Sequence, residues 1–217
     1  MSNINVKQIK PYICHSKNVK MEKILSLSQL DLSGTYTYAD YLTWQFEQAV
    51  ELIRGKILPM AAPSRRHQII SREIHGMMYI FFQQAPCEFY AAPFDVRLYD
   101  KKKSIKANKD VFTVVQPDLC IICDEAKLDD KGCIGAPDLI VEILSPGNSK
   151  KEMRTKKDLY AETGVREYWI IDPEHENAFQ FLLEKGNKYS PPTIYVNDEI
   201  LDCFIFPDLK IDLKKVF

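Results

Sequence analysis

The chain has 217 residues, 46% hydrophobic and 27% charged, with a formal net charge of −1. That length suits one domain with decorations, and the composition argues against a disordered chain. A near-neutral balance excludes a protein that coats DNA by bulk charge, so any nucleic-acid contact needs a local basic patch.

In chain order, Met1 to Lys23 carries scattered lysines but no continuous apolar run and no small-residue cleavage site, so no secretory signal is read there. No stretch approaches the roughly 20 consecutive apolar residues of a membrane helix, and a cytoplasmic protein with no membrane partner is expected. Residues 1–34 have weak periodicity and form an N-terminal extension of uncertain order; the domain proper is expected over 35–217. Thr37 is the expected N-cap of a short helix opening at Tyr38. Ala49 to Met60 reads as two short strands around Arg54-Gly55. After Pro63-Ser64, the spacing of Ile70, Ile74, Met77, Met78 and Phe81 predicts an amphipathic helix ending near Pro86.

Four strands are predicted next. The first spans Glu88 to Leu98, and a lysine-rich loop from Lys101 to Lys109 leads to the second, Val111 to Cys123, interrupted at Pro117. The third, Leu139 to Leu144, is apolar on both faces and reads as central. A helix from about Lys150 to Thr163 stops at Gly164, a helix-ending glycine, and the fourth strand covers Glu167 to Ile171. Short strands and turns fill the remainder. This order describes an α/β sandwich whose strands form a meander followed by one right-handed crossover. The six cysteines (Cys14, Cys87, Cys120, Cys123, Cys133, Cys203) are expected to be reduced core residues. Cys120 and Cys123 form a C-x-x-C, but an odd offset along a strand sends them to opposite faces, and no second ligand pair follows at zinc-finger spacing.

The informative polar residues are Asp118, Glu142 and Lys156. Glu142 stands among aliphatic neighbours in Leu139-Ile140-Val141-Glu142-Ile143-Leu144, where an ionised carboxylate costs several kcal/mol or more unless paired or metal-bound. A buried ion pair and a metal ligand are the two readings. If the second and third strands pair antiparallel, Asp118 at the start of one lies beside Glu142 at the end of the other. Two converging carboxylates repel, and Mg²⁺ resolves this by accepting one or two carboxylates and keeping water or phosphate oxygens elsewhere. Taken alone, Lys156 reads as one half of a surface Glu152–Lys156 pair.

The stretch Gly135-Ala136-Pro137-Asp138-Leu139-Ile140-Val141-Glu142-Ile143-Leu144-Ser145-Pro146 resembles a large bacterial family of restriction-endonuclease-like proteins. So do Lys156, Tyr160, Gly164-Val165, Glu167-Tyr168-Trp169 and Asp172-Pro173, together with Gln116-Pro117-Asp118 and Pro207-Asp208-Leu209. By fold that family belongs to the PD-(D/E)XK nucleases. The resemblance implies a restriction-endonuclease-like α/β sandwich: a mixed central sheet flanked by helices, with extra N- and C-terminal strands. It makes Asp118 and Glu142 the Mg²⁺ or Mn²⁺ ligands, and both catalytic. Leu144 stands where the family pattern of the superfamily has its lysine, and the resemblance moves that role to Lys156 on the following helix. A lysine acting from there is expected to face Glu142 while Lys150 and Lys151 point to solvent.

Glu51, His67 and Asp95 are additional cleft candidates; the structural alternatives are a strand-edge charge for Glu51, a satisfied, partly buried histidine for His67, and a bond to Arg97 or a turn for Asp95. Arg65, Arg66 and the Lys101 to Lys109 loop are candidate phosphate contacts whose default role is solubility. The expected activity is metal-dependent hydrolysis of phosphodiester bonds in DNA. RNA is the alternative substrate, and a non-catalytic nucleic-acid-binding or homodimeric interaction module is the alternative to an enzyme.

Overall fold

The computed structural model describes residues 24–99, 108–146 and 150–217. The lysine loop expected from Lys101 falls largely outside them, as does Cys14. Among the described residues no helix is long and apolar enough to cross a membrane.

Local chemistry sets the element boundaries. Thr37 caps α1 (Tyr38–Tyr41) in a reciprocal box, its hydroxyl accepting the Asp40 N–H while the Asp40 carboxylate accepts the Thr37 N–H at 2.8 Å. Strands β1 (Val50–Ile53) and β2 (Lys56–Pro59) are joined by Arg54 and Gly55, both at positive φ (51° and 80°), the backbone a tight two-residue hairpin requires. Ser64 then caps α2 (Arg65–Phe82) by accepting the His67 N–H at 3.2 Å. The buried face of α2 is His67, Ile70, Ile74, Met78 and Phe82, one side of a helix at steps of three and four.

The two longest predicted strands each divide into two. Glu88 to Leu98 becomes β3 (Glu88–Ala91) and β4 (Val96–Leu98); the second becomes β5 (Thr113–Val115) and β6 (Leu119–Ile122). In both cases the halves lie in different sheets. Pro93 and Pro117 sit at the breaks, and a residue without an N–H cannot continue a ladder. A hairpin not read from the sequence follows, β7 (Leu128–Asp129) and β8 (Gly132–Ile134). The first sheet has six strands in the order β2-β1-β5-β4-β8-β7.

The second sheet holds the centre of the molecule. Strand β9 (Leu139–Ile143) pairs antiparallel with β6; the chain then crosses through α3 (Lys150–Thr163) to β10 (Glu167–Asp172), which pairs parallel with β9. Helix α3 stops at Gly164 (φ 95°), where the Val165 N–H returns to the Tyr160 carbonyl at 2.9 Å. Strand β11 (Asn177–Glu184) pairs with β10, and β12 (Lys188–Tyr189) and β13 (Thr193–Val196) pair with β11. A small two-stranded sheet, β14 (Ile200–Asp202) and β15 (Lys210–Asp212), and α4 (Leu213–Val216) close the chain.

Alternation along β6, β9 and β10 gives each helix its own half of the core. Leu119, Ile121, Leu139, Val141, Ile143, Trp169 and Ile171 cluster with the apolar face of α2. Cys120, Ile122, Ile140, Tyr168 and Ile170 cluster with Leu159 and Tyr160 of α3. Each fully buried leucine or isoleucine stabilises by roughly 1.5–3 kcal/mol over an exposed one. A one-residue slip of β9 would reverse all its faces, so this pattern holds the register. It also decides that Glu142, in step with Ile140, belongs to the α3 side.

The cysteine expectation needs correction at one pair. Cys87 and Cys123 are joined by a disulfide with an S–S distance of 2.08 Å. The β3–β6 register explains it: Glu88 lies opposite Ile122, so the residues just before and just after them are neighbours. Cys120, Cys133 and Cys203 are free and buried.

Glu167 is completely buried at the start of β10 and carries an unusual load. Its carboxylate accepts the Trp169 indole N–H and the Gln180 amide, each at 2.7 Å, the Cys203 thiol at 3.4 Å, and the backbone N–H groups of Phe204 and Ile205 at 3.2 and 2.9 Å. One side chain thus ties the C-terminal segment to the second sheet.

Candidate active site

Antiparallel pairing of β6 with β9 puts Leu119 opposite Val141, which sets Asp118 beside the end of β9. Asp118 Oδ2 accepts the Ile143 N–H at 2.7 Å, and its Oδ1 lies 3.2 Å from His67 Nε2, on the first turn of α2. Glu142 faces the other helix. Its Oε1 accepts Lys156 Nζ at 3.0 Å and the Tyr160 hydroxyl at 2.6 Å, two donors one turn apart on α3. Lys156 Nζ also donates to Glu51 Oε1 at 2.9 Å, and that oxygen accepts the Gln116 N–H at 2.9 Å. Both sheets therefore supply a carboxylate to one ammonium.

The surface pairing of Lys156 with Glu152 gives way to this buried arrangement: the Lys156 side chain is 15% exposed, against 2% for Glu51 and 14% for Glu142. Lys150 and Lys151 are exposed, and Lys157 lies with its Nζ 5.2 Å from the centroid of the Phe181 ring. The rotation of about 100° per helical residue separates Lys157 from Lys156.

Asp95 does not join these groups and does not bond Arg97. It accepts hydroxyls from Tyr38 and Tyr41 at 3.2 and 3.3 Å and the Gln116 amide at 2.8 Å, while Arg97 pairs with Asp129. Asp95 precedes β4 in the first sheet, whereas Asp118 precedes β6 in the second, so the two are not on neighbouring strands. Gln116 links Asp95 to the site, since the Gln116 backbone N–H bonds Glu51. Tyr160 and Gln116 are among the residues that carry the family resemblance, but the sequence assigns neither a part in the site. Glu51 does carry a signal, the same as Glu142: a carboxylate inside an apolar strand, Val50-Glu51-Leu52-Ile53.

Three carboxylates thus share one ammonium and one imidazole, and their proton affinities reflect it. Burial holds Glu142 above the ordinary carboxylate range; Lys156 pulls it back and Glu51 and Asp118 push it further up. Burial alone would lower Lys156, but Glu142 and then Glu51 hold its ammonium above the usual lysine value. It stays charged even when Glu142 takes up a proton, because Glu51 bonds it too. Burial, followed by the charge of Glu142, raises the Tyr160 phenol, which keeps it a donor. For His67, burial acts downward, but the Asp118 hydrogen bond and charge outweigh it and the imidazole is raised above 6.5.

That last shift sets a pH dependence. His67 is raised in the folded state, so the stability gained from its pairing with Asp118 is complete below the unfolded value of about 6.5 and is lost as pH rises through the higher folded value. Urea unfolding of wild type and His67→Gln with chelator present should show the larger gap at pH 6 and the smaller at pH 9. A gap that widens with pH would rule out the charged pair.

A divalent cation is the group the resemblance implies. Among the described residues no three His, Cys, Asp or Glu side chains are gathered as a ready ligand shell. The donor chemistry nevertheless fits a hard cation, which needs only one or two carboxylates and takes its other ligands from water or substrate. The surplus of carboxylates over cationic groups also fits added positive charge. Near the ends of β9 and β10 a cleft of about 530 Å³ is lined by Ser64, Arg66, Leu144, Ser145, Asp172 and Glu174. Arg66, a candidate phosphate contact, is paired there with Glu176 at 2.6 Å. A larger cavity of about 1270 Å³ is lined by Arg54, Phe112, Lys157, Glu162 and Tyr189 among others; the lining of neither cavity includes Glu51, His67, Asp118, Glu142 or Lys156.

Known proteins share this architecture. A crystal structure titled "a putative nuclease belonging to DUF820", from Anabaena variabilis, matches with a TM-score of 0.67 and 20% identity, covering 84% of this chain and 97% of that one. At that identity the likeness is one of fold. An uncharacterized protein of Synechocystis sp. is 24% identical over 134 residues, a match spanning 61% of this chain and 65% of that relative, just under two thirds of its length. The family model named Uma2, described as "Putative restriction endonuclease", matches residues 38–214. That match takes in every site residue above, and the chain belongs to the Uma2 restriction-endonuclease-like family.

Proposed function

We propose that the chain is a divalent-metal-dependent endonuclease acting on DNA, with Asp118 and Glu142 as the metal ligands. The observation that supports this most is the meeting of Glu51 and Glu142, from two sheets, on a single ammonium, with Asp118 held beside Glu142 by the backbone N–H of Ile143. So much buried carboxylate costs stability, and a cation offsets the cost. When bound, the metal would supply Lewis acidity towards the phosphodiester and its attacking water.

The chain's own residues have separable tasks. Asp118 and Glu142 offer oxygen donors from adjacent strands. Lys156 is an electrostatic group, not a base, because two carboxylates keep it protonated; it steadies Glu142 and stands ready for charge developing on the phosphate. Glu51 holds Lys156 in place from the first sheet, and His67 orients Asp118. The second reading, a non-catalytic nucleic-acid-binding module, draws on the completeness of these internal pairings, which leave the ammonium engaged on both sides.

The test has two arms. Calorimetric titration with Mn²⁺ should show one site in wild type, none in Asp118→Ala and a much weaker one in Glu142→Ala. Plasmid DNA and single-stranded DNA and RNA, incubated with Mg²⁺ or Mn²⁺, should be cut only in the absence of chelator, DNA being preferred. Equal Mn²⁺ affinity in all three proteins would remove the metal site. Metal binding without cleavage of any substrate would favour the binding module.

A further inference from the structure

Glu142 is held in a one-sided way. Among the described residues both of its side-chain donors, Lys156 Nζ at 3.0 Å and the Tyr160 hydroxyl at 2.6 Å, meet at Oε1 and none at Oε2. The two donors differ in what they can enforce. An ammonium on a flexible four-carbon stem has three rotatable donors and can follow a carboxylate to either oxygen; Lys156 is moreover shared with Glu51. A phenol reaches only as far as its ring is placed. The Tyr160 ring is fully buried in the core half that packs on α3, and it meets Tyr168 edge-on with centroids 5.1 Å apart at 73°. Its position is therefore fixed by packing before Glu142 arrives.

A carboxylate turns easily about its last bond, because that torsion is broad and nearly two-fold. Left to Lys156 alone, Glu142 would be free to exchange which of its oxygens it presents to the lysine. A rigid donor on one oxygen ends that exchange. We propose that Tyr160 is a positioning residue that locks Glu142 through Oε1 and so reserves Oε2 for the divalent cation. This rests on the metal reading of the site and assigns the tyrosine a part in it. Groups that orient a metal ligand from behind typically change metal affinity by about 10- to 100-fold when removed.

Tyr160→Phe keeps the ring and its packing, and Glu142 keeps a bond from Lys156 through one oxygen or the other, so the fold is spared. Tyr189→Phe is the control: it removes a hydroxyl that donates to the Val165 carbonyl at 3.0 Å, just past the C-terminal end of α3. Full-length wild type, both variants and Asp118→Ala are titrated with Mn²⁺ by calorimetry, with thermal melts alongside. The expected result is a loss of Mn²⁺ affinity of about tenfold or more in Tyr160→Phe, wild-type affinity in Tyr189→Phe, and melts within a few degrees of wild type. Unchanged affinity in Tyr160→Phe, with binding still abolished in Asp118→Ala, overturns the positioning role and leaves the metal site standing. Equal losses in the two tyrosine variants overturn it as well, since general loosening then explains both. A wild type that takes up no Mn²⁺ overturns the positioning role and the metal site together.

Discussion

Lys156→Ala is expected to slow phosphodiester cleavage by on the order of a hundredfold or more, as for an electrostatic group removed from a charged transition state. It should still bind Mn²⁺, and no more weakly than wild type, because removing an ammonium leaves the carboxylates more negative. Its stability should respond to metal more strongly than that of wild type. Without a cation, Glu51 and Glu142 lose the ammonium that holds both, and breaking a buried pair on one side costs about 3–5 kcal/mol. Saturating Mn²⁺ should recover much of that loss. Lys157→Ala, with its ammonium over Phe181, should cleave like wild type. The check is cleavage rate and urea unfolding for both variants, with and without Mn²⁺. A Lys156→Ala protein that cuts normally would end the electrostatic role.

Glu167→Ala should be the most destabilising single change away from the site. It strands a buried indole N–H, an amide and two backbone N–H groups at once. Hydrogen bonds to a charged partner contribute about 1.5–3 kcal/mol each and are not additive, so a total loss of about 3–5 kcal/mol is expected. Glu167→Gln should recover only part of it, because its NH₂ group would meet donors. Denaturant midpoints measure this; a loss under about 1 kcal/mol would mean that water or rearrangement replaces the carboxylate.

Glu142 and Asp118 were legible in the sequence because both depend on short-range features. One is a charge inside an apolar run, the other a residue opening the strand that pairs with it. Helix α3 was legible for the same reason: its stop at Gly164 is local chemistry. Glu51 carried the same apolar-strand signature as Glu142, but its partner lies on α3 and its strand lies in the other sheet. No local pattern reports that two sheets meet. The division of each long strand had a local sign, Pro93 and Pro117, yet a proline marks only the end of a ladder and does not say where the chain goes next. The Cys87–Cys123 bond follows from the β3–β6 register, and register between strands far apart in sequence was the least readable quantity of all. Glu167 depends on tertiary packing as well: it is an ordinary residue type until several distant donors gather round it.

The tripeptide Gln116-Pro117-Asp118 lies where the chain leaves β5 for β6. Its first residue grips Glu51 through the backbone, and its last accepts the Ile143 N–H beside Glu142. The length of this crossing is therefore a constraint on the gene as much as on the fold. One codon gained or lost between Val115 and Leu119 would turn every side chain of one flanking strand inside out relative to the other. Length variation among relatives should gather instead in turns such as Lys185-Gly186-Asn187, where Gly186 has open space around it.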